Sequence, residues 1–436
     1  MVEELGNLVA GKRLNSQSGR YLDISNPATG QVIGKLGMSS ASELSDAIAN
    51  AKAAQPAWAA INPQRRARVM MNFVQLLNRD MDKLAEALSR EHGKTIPDAR
   101  GDIIRGLEVA EFCIGAPHLL KGEFSEGAGT DIDIHSLRQP LGVVAGITPF
   151  NFPAMIPMWK FCPAIVSGNA FILKPSERAP SVPLMLGELM LEAGLPEGIL
   201  NVVNGDKEVV DAILDHEDIM AIGFVGSTPI AEYIYARGCT NGKRVQCFGS
   251  AKNHMIIMPD ADLDQAADAL VGAGYGAAGE RCMAISVAVA VGDETANALI
   301  EKLAPRVKAL KIGPYTAGNE VDFGPLINKE ARQRVLDLVN SGVKQGADLV
   351  VDGRDFSLPD YAQGNFIGGC LFDNVNTEMD IYREEIFGPV LNIMRAKDYH
   401  EAIAIPMNNQ YGNGVSIYTR DGDTARDFTS RINVGM

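Results

Sequence analysis

From Gly142 onward the chain alternates short β-branched runs with longer helix-forming ones, and this alternation constrains its fold more than any other feature. In order, the runs are GVVAGIT, AMIPMWKFCPAIVSG, AFILKP, PLMLGELMLEAG, GILNVV, EVVDAILDH, IMAIGFVG and PIAEYIYARG. Strands apolar on both faces need helical crossovers to cover them, so the pattern predicts a parallel sheet with helices on its faces. Gly194 and Gly238 are read as left-handed helix ends, a conformation that costs little without a side chain. A second βα-rich region, beginning between Asn253 and Asp262, carries predicted helices from Leu263 to Ala278 and from Lys329 to Gln345, which implies another α/β domain.

Upstream, helices are predicted from Ser42 to Trp58 and from Arg65 to His92, where Met70, Phe73, Leu76 and Leu77 recur at helical spacing. Thr130 to Leu137 alternates polar and apolar residues, as a solvent-facing strand does. With 436 residues, 46% of them hydrophobic, the chain can bury more than one core. Its formal net charge of -14 argues against a surface that tracks phosphates, so neither nucleic acid nor an anionic membrane is expected as a partner. An anionic small molecule would need its own local arginines. The opening MVEELGNLVAGKRLNSQ has no basic region followed by an apolar run, and no stretch of 18 apolar residues is uninterrupted, so a cytoplasmic protein is expected. Six scattered cysteines without a CxxC pair are expected to be free thiols.

Two apparent motifs fail on context. Gly274-Tyr-Gly276-Ala-Ala-Gly279 matches GxGxxG, yet a helix body precedes it where a dinucleotide loop needs a strand. Gly93-Lys94-Thr95 resembles the end of a P-loop, but Leu88 stands where the first glycine belongs. The six histidines show no ligand spacing, so no metal site is expected.

Cys282 lies in Ala278-Gly-Glu-Arg-Cys-Met-Ala284, beside Arg281. A neighbouring cation favours thiolate, the form that adds to carbonyls. A buried structural thiol is the competing reading. Five segments raise the reactive one: Thr148-Pro-Phe-Asn-Phe-Pro153, Lys174-Pro-Ser-Glu177, Phe224-Val-Gly-Ser-Thr228, Gly279-Glu-Arg-Cys282 and Glu384-Glu-Ile-Phe-Gly-Pro389. In order and approximate spacing they resemble the aldehyde dehydrogenase superfamily over essentially the whole chain.

That resemblance implies an aldehyde-dehydrogenase-like α/β fold: two α/β domains with parallel-type sheets plus a small oligomerisation hairpin. Residues 1–122 and 143–254 would form the NAD-binding domain, 123–142 the oligomerisation excursion, and 255–436 the catalytic domain. Relatives continue beyond Arg431-Ile-Asn-Val-Gly-Met436, so a C-terminal segment is expected to be missing. The resemblance makes Cys282 the nucleophile and Asn151 the oxyanion donor, although Asn151 also suits a Pro-bounded turn. It assigns cofactor contacts to Thr148, Phe150, Lys174, Glu177, Arg178, Gly226, Ser227, Gly249, Glu385 and Phe387. Lys174 and Glu177 would hold the adenosine ribose, where a carboxylate favours NAD over NADP; otherwise they form a surface pair. Ser227 could equally be a simple helix cap.

One position departs from the hydrolytic members, which carry a water-activating glutamate where Gln246-Cys-Phe-Gly-Ser-Ala-Lys-Asn253 has Phe248. A hydrocarbon ring cannot take a proton, so another acceptor must remove the acyl group. This resembles the CoA-acylating, methylmalonate-semialdehyde dehydrogenase branch, with CoA as co-substrate and Arg105 and Arg281 on the substrate carboxylate. Arg105 could otherwise be a helix-surface charge. The branch implies oxidation of methylmalonate or malonate semialdehyde to propionyl-CoA or acetyl-CoA in a homodimer or homotetramer. The alternatives are a hydrolytic enzyme, with Glu280 restoring the base, and an impaired NAD- or CoA-binding remnant.

Overall fold

A computed structural model describes residues 3–436 and divides the chain into two compact units. The first comprises residues 3–25, 32–91 and 99–249; the second comprises 26–31, 92–98 and 250–436.

The first unit is built on a seven-stranded sheet. Five strands run parallel, in the spatial order Arg244–Phe248, Ile219–Val225, Val143–Ile147, Ala170–Lys174 and Leu200–Val202. Asn7–Val9 and Lys12–Leu14 extend the sheet antiparallel. Val143–Ile147 and Ala170–Lys174 are buried at every position, which is why these runs lack polar alternation. Register pairs Ile147 with Lys174 and with Phe224, and Val225 with Phe248, so these strands finish along one edge. Helices Met155–Val166, Ser181–Glu192, Lys207–Asp215 and Thr228–Thr240 are the crossovers.

The second unit has a six-stranded sheet. Cys370–Asp373, Val390–Ala396, Ile285–Val291, Asn253–Ile257 and Val415–Tyr418 are parallel in that spatial order, and Asp348–Val351 pairs antiparallel at the edge. Helices Leu263–Tyr275 and Lys329–Lys344 belong to this unit. The expected pair of α/β sheets is therefore present. No helix among the described residues is long and apolar enough to cross a membrane.

Local expectations needed four corrections. The helix predicted from Arg65 to His92 is two, Pro63–Arg79 and Met81–His92, broken at Asp80, whose carboxylate pairs with Arg79. Gly238 ends no helix: it lies inside Thr228–Thr240, where an added Cβ would come within 2.7 Å of Val245, and Gly242 at φ +72 follows the helix end. The strand read from Thr130 to Leu137 is shorter, Ile132–His135, and pairs with Phe124–Gly129 as the expected hairpin, with every residue of both strands exposed. The helix predicted to reach Ala278 stops at Tyr275, and Ala277, Ala278 and Gly279 then turn left-handed in succession.

Candidate active site

Parallel α/β sheets offer ligand crevices beyond the carboxyl ends of their strands. In the first unit that edge carries Thr148 after Val143–Ile147, Lys174 at the end of Ala170–Lys174, Gly226 after Ile219–Val225, and Phe248 and Gly249 closing the next strand. The Thr148 N–H donates to the Lys174 carbonyl (3.1 Å), while the buried Thr148 hydroxyl has no partner among the described residues. Ser227 sits at the N-cap of Thr228–Thr240 without making the side-chain capping bond, so its hydroxyl too is uncommitted by the helix. The Gly226 N–H donates to the Phe248 carbonyl (3.0 Å), and a Cβ on Gly249 would lie 2.8 Å from the Thr228 hydroxyl oxygen.

Lys174 is buried and pairs with Glu177 at 3.0 Å. Burial opposes the Glu177 carboxylate, but Lys174, a backbone N–H and Arg178 outweigh it and hold the pKa below its ordinary value. The pair is thus half-buried at the sheet edge, with a charged acceptor available for hydroxyl groups. Arg178 is exposed beside it.

Asn151 is buried and Phe150 half-buried in the loop before Met155–Val166. Sequence reasoning missed the device that fixes this helix start. Ala154 makes no side-chain cap; instead Asp102 Oδ1 accepts from the Met155 N–H at 2.7 Å. Gly106 permits the approach, since a Cβ there would meet Met158 at 2.1 Å. Arg105, on the same helix as Asp102, has a 67% exposed side chain paired with Glu108 at 3.0 Å, and its carbonyl accepts from the Trp159 indole.

Phe248 is 51% exposed, with the Lys160 ammonium 5.9 Å from its ring centre. Burial pushes Lys160 down to about 8. Two strand glycines make room for the lysine, because a Cβ at Gly223 would lie 3.0 Å from Nζ and one at Gly146 would lie 3.2 Å from Cδ. Nothing at position 248 can act as a base.

In the second unit, a cavity of about 20 Å³, room for about one water molecule, is lined by Cys282, Arg281, Glu385 and Phe387 among others. The left-handed run before Cys282 has a steric cause at Gly279, where a Cβ would fall 2.1 Å from the Gly388 carbonyl oxygen. The Cys282 carbonyl is then gripped by the side-chain amides of Asn253 (2.8 Å) and Asn413 (3.0 Å). Backbone thus sets where the thiol points.

Burial raises the Cys282 pKa; its own N–H and that of Met283 lower it, Glu385 raises it and Lys94 lowers it. Arg281 is ion-paired with Asp98, which takes up its charge locally, and the cation that bears on the Cys282 thiol, as a small effect beside burial, is the buried Lys94. Lys94 belongs to the Gly-Lys-Thr segment set aside above as a failed P-loop, and no pattern in the sequence marks it. Glu280 is 0% exposed, accepts from the Ile327 N–H (3.2 Å), and is pushed by burial up to about 8. It anchors the loop and presents no base to a solvent water.

Glu385 Oε1 accepts from the Ala251 N–H (3.1 Å), and burial raises its pKa. Phe387 adopts φ +54, and the segment is held from behind by Arg334, which donates to the carbonyls of Glu385 and Ile386. Arg334 was also unmarked in the sequence.

The sequence pattern described as the aldehyde dehydrogenase family matches residues 14–436. The chain is 53% identical to malonate-semialdehyde dehydrogenase of Pseudomonas aeruginosa, over 99% of this chain and 86% of the relative. It is 47% identical to the mitochondrial methylmalonate-semialdehyde dehydrogenase (acylating) of Arabidopsis thaliana, over 100% of this chain and 71% of that one. A crystal structure from Sinorhizobium meliloti, assigned to methylmalonate-semialdehyde dehydrogenase and complexed with NAD, superposes with a TM-score of 0.99 at 68% identity, covering 100% of this chain and 89% of that one.

Proposed function

The chain belongs to the aldehyde dehydrogenase family, NAD-dependent aldehyde oxidoreductases, and on that premise we propose that it oxidises methylmalonate or malonate semialdehyde through a Cys282 thioester and delivers the decarboxylated acyl group to CoA. The observation that carries the CoA half is Phe248: the position that resembles the water-activating glutamate holds a ring, and Glu280 is buried against a backbone N–H. The names of the relatives support the substrate class.

The residues fit NAD. The partnerless Thr148 hydroxyl, the uncapped Ser227 hydroxyl and the Lys174–Glu177 pair suit a ligand with ribose and phosphate groups, together with Phe150, Arg178, Gly226 and Gly249 along the same edge. Glu385 and Phe387 are the corresponding contacts of the second unit.

Cys282 attacks the aldehyde carbon as the thiolate; burial raises its pKa, and backbone N–H groups and Lys94 partly offset that rise. The Asn151 amide and the Cys282 N–H donate to the oxygen as it becomes anionic. Arg105 and Arg281 grip the substrate carboxylate, Arg281 sharing its guanidinium with Asp98. Bound NAD supplies the hydride acceptor. Collapse of the adduct leaves an acyl thioester on Cys282, with the carboxylate beta to its carbonyl. That carbonyl takes up the electron pair released as the C–C bond to CO2 breaks, and protonation gives the propionyl or acetyl thioester. The CoA thiol then attacks the thioester, its proton passes to the departing Cys282 sulfur, and acyl-CoA leaves. Assembly into dimers or tetramers through the exposed ribbon belongs to the same proposal.

The test is NADH formation from each semialdehyde with and without CoA, together with identification of the product. Turnover that requires CoA and yields acyl-CoA is expected. Equal turnover without CoA, giving free acid, would overturn the acylating reading.

A further inference from the structure

We propose that a groove at the start of helix Lys329–Lys344, in the second unit, binds a small organic phosphate: a phosphate monoester carrying a planar ring. The groove has a volume of about 320 Å³ and shares no residue with the Cys282 cavity. No aspartate or glutamate lines it, on a chain whose acidic residues outnumber its basic ones by 54 to 40.

Three kinds of donor converge there. Lys329 and Arg332 stand one helical turn apart, and neither has a carboxylate partner among the described residues. Lys329 Nζ reaches only Gln363 Oε1, at 3.4 Å. Arg332 donates Nε to the Phe366 carbonyl (2.8 Å), which fixes the guanidinium plane and leaves both Nη groups without a protein acceptor.

The third donor is the side-chain amide of Asn365. This residue is only 5% exposed, and its backbone is tied on both sides: its N–H donates to Pro27 and its carbonyl accepts from Leu326. The side chain itself lines the groove and makes no hydrogen bond within the protein. With no partner among the described residues, that amide is open to the groove and free to bond a ligand there. At the helix start Asn328 already caps the Ala331 N–H and Glu330 stands in the first turn facing away from the groove lining, so the cations and the amide rather than the helix end supply the attraction.

These features select the ligand. A phosphate dianion has three acceptor oxygens for an ammonium, a guanidinium and an amide, and the acid-free walls impose no repulsion on it. The rings of Phe356 and Tyr361 complete the lining, Tyr361 being held edge-on by Phe366 at 6.1 Å. A planar body can lie on that wall, whereas bare phosphate would leave it wet.

The test is calorimetric titration of phenyl phosphate into the intact protein at saturating NAD, so that other phosphate-binding positions are filled. Phenol and inorganic phosphate are the controls. One equivalent of phenyl phosphate is expected to bind, more tightly than either control. Lys329→Met and Arg332→Met should each weaken it by about tenfold. Lys329 is exposed, so its variant folds whatever becomes of Arg332→Met. Absence of saturable binding, an unchanged affinity in Lys329→Met, or phenol binding as tightly as phenyl phosphate would overturn the site. Inorganic phosphate binding as tightly would overturn the ring-bearing ligand.

Discussion

The two units treat their polar side chains differently. Along the edge of the first, groups are left open: among the described residues the Thr148 hydroxyl has no partner and the Arg105 side chain pairs with nothing but the exposed Glu108, and Ser227 does not cap its helix. Around Cys282 in the second, several polar side chains are committed to the fold. Arg281 is locked to Asp98, Glu280 to the Ile327 N–H, Lys252 to the Ile381 carbonyl and Arg334 to the carbonyls of the Glu385 segment. Open groups suit ligands that come and go, while a nucleophile profits from a scaffold whose polar atoms are already satisfied.

The contrast breaks most visibly at Cys282. Cys282→Ser should abolish NADH formation, by at least about a thousandfold, because a serine hydroxyl ionises far less readily than a thiol and is a much weaker nucleophile at neutral pH. It should leave the thermal midpoint near that of the parent; persistent turnover would move the nucleophile elsewhere. Next comes Arg105→Ala. Losing one charge-assisted contact, worth about 1.5–3 kcal/mol, should lower kcat/KM for the acidic semialdehydes by roughly ten- to a hundredfold. Small uncharged aldehydes should be spared, and an equal loss on both would remove Arg105 from the substrate.

The committed side can be probed through pH. Glu280 holds its proton up to about 8 when folded, against an ordinary value of 4.5, so the unfolded chain releases a proton that the folded one keeps. The associated stability is complete below the ordinary value and is lost as pH rises toward 8, at about 1.4 kcal/mol per unit. Glu280→Gln keeps an acceptor for the Ile327 N–H but cannot ionise. Its thermal midpoint should therefore fall less steeply between pH 5 and 8, and parallel curves for the two proteins would contradict the assignment. The smallest effect is expected at Ala278, where φ is +54. Glycine relieves a left-handed penalty of about 1–2 kcal/mol and returns part of it as unfolded-state entropy, so Ala278→Gly should stabilise by about 0.5 kcal/mol. A destabilised variant would mean that the Ala278 methyl is needed where it packs.

Fold class was legible because strands buried on both faces must be written in continuous apolar runs, as GVVAGIT and AFILKP are. The roles proposed for Cys282, Asn151 and the Lys174–Glu177 pair rest on resemblance rather than on periodicity. What escaped was set by contacts distant in sequence. Lys94 acts on Cys282 from a segment nearly two hundred residues earlier, Asp102 secures the start of a helix at Met155, and Arg334 props Glu385. The break at Asp80 and the left-handed turn after Tyr275 escaped for a different reason. Both sit inside stretches whose apolar spacing continues to read as helix.

The ribbon of Phe124–Gly129 and Ile132–His135 carries a consequence for handling the protein. A two-stranded ribbon is marginal alone in water, and this region holds Phe124, Ile132, Ile134 and Leu137 in solvent. Its order is therefore a property of the solution as much as of the chain. If the ribbon is an assembly surface, as proposed above, its turn at Thr130–Asp131 is guarded in the assembly and becomes a first point of attack for a protease at high dilution. On that proposal, how long the polypeptide stays intact depends on its concentration.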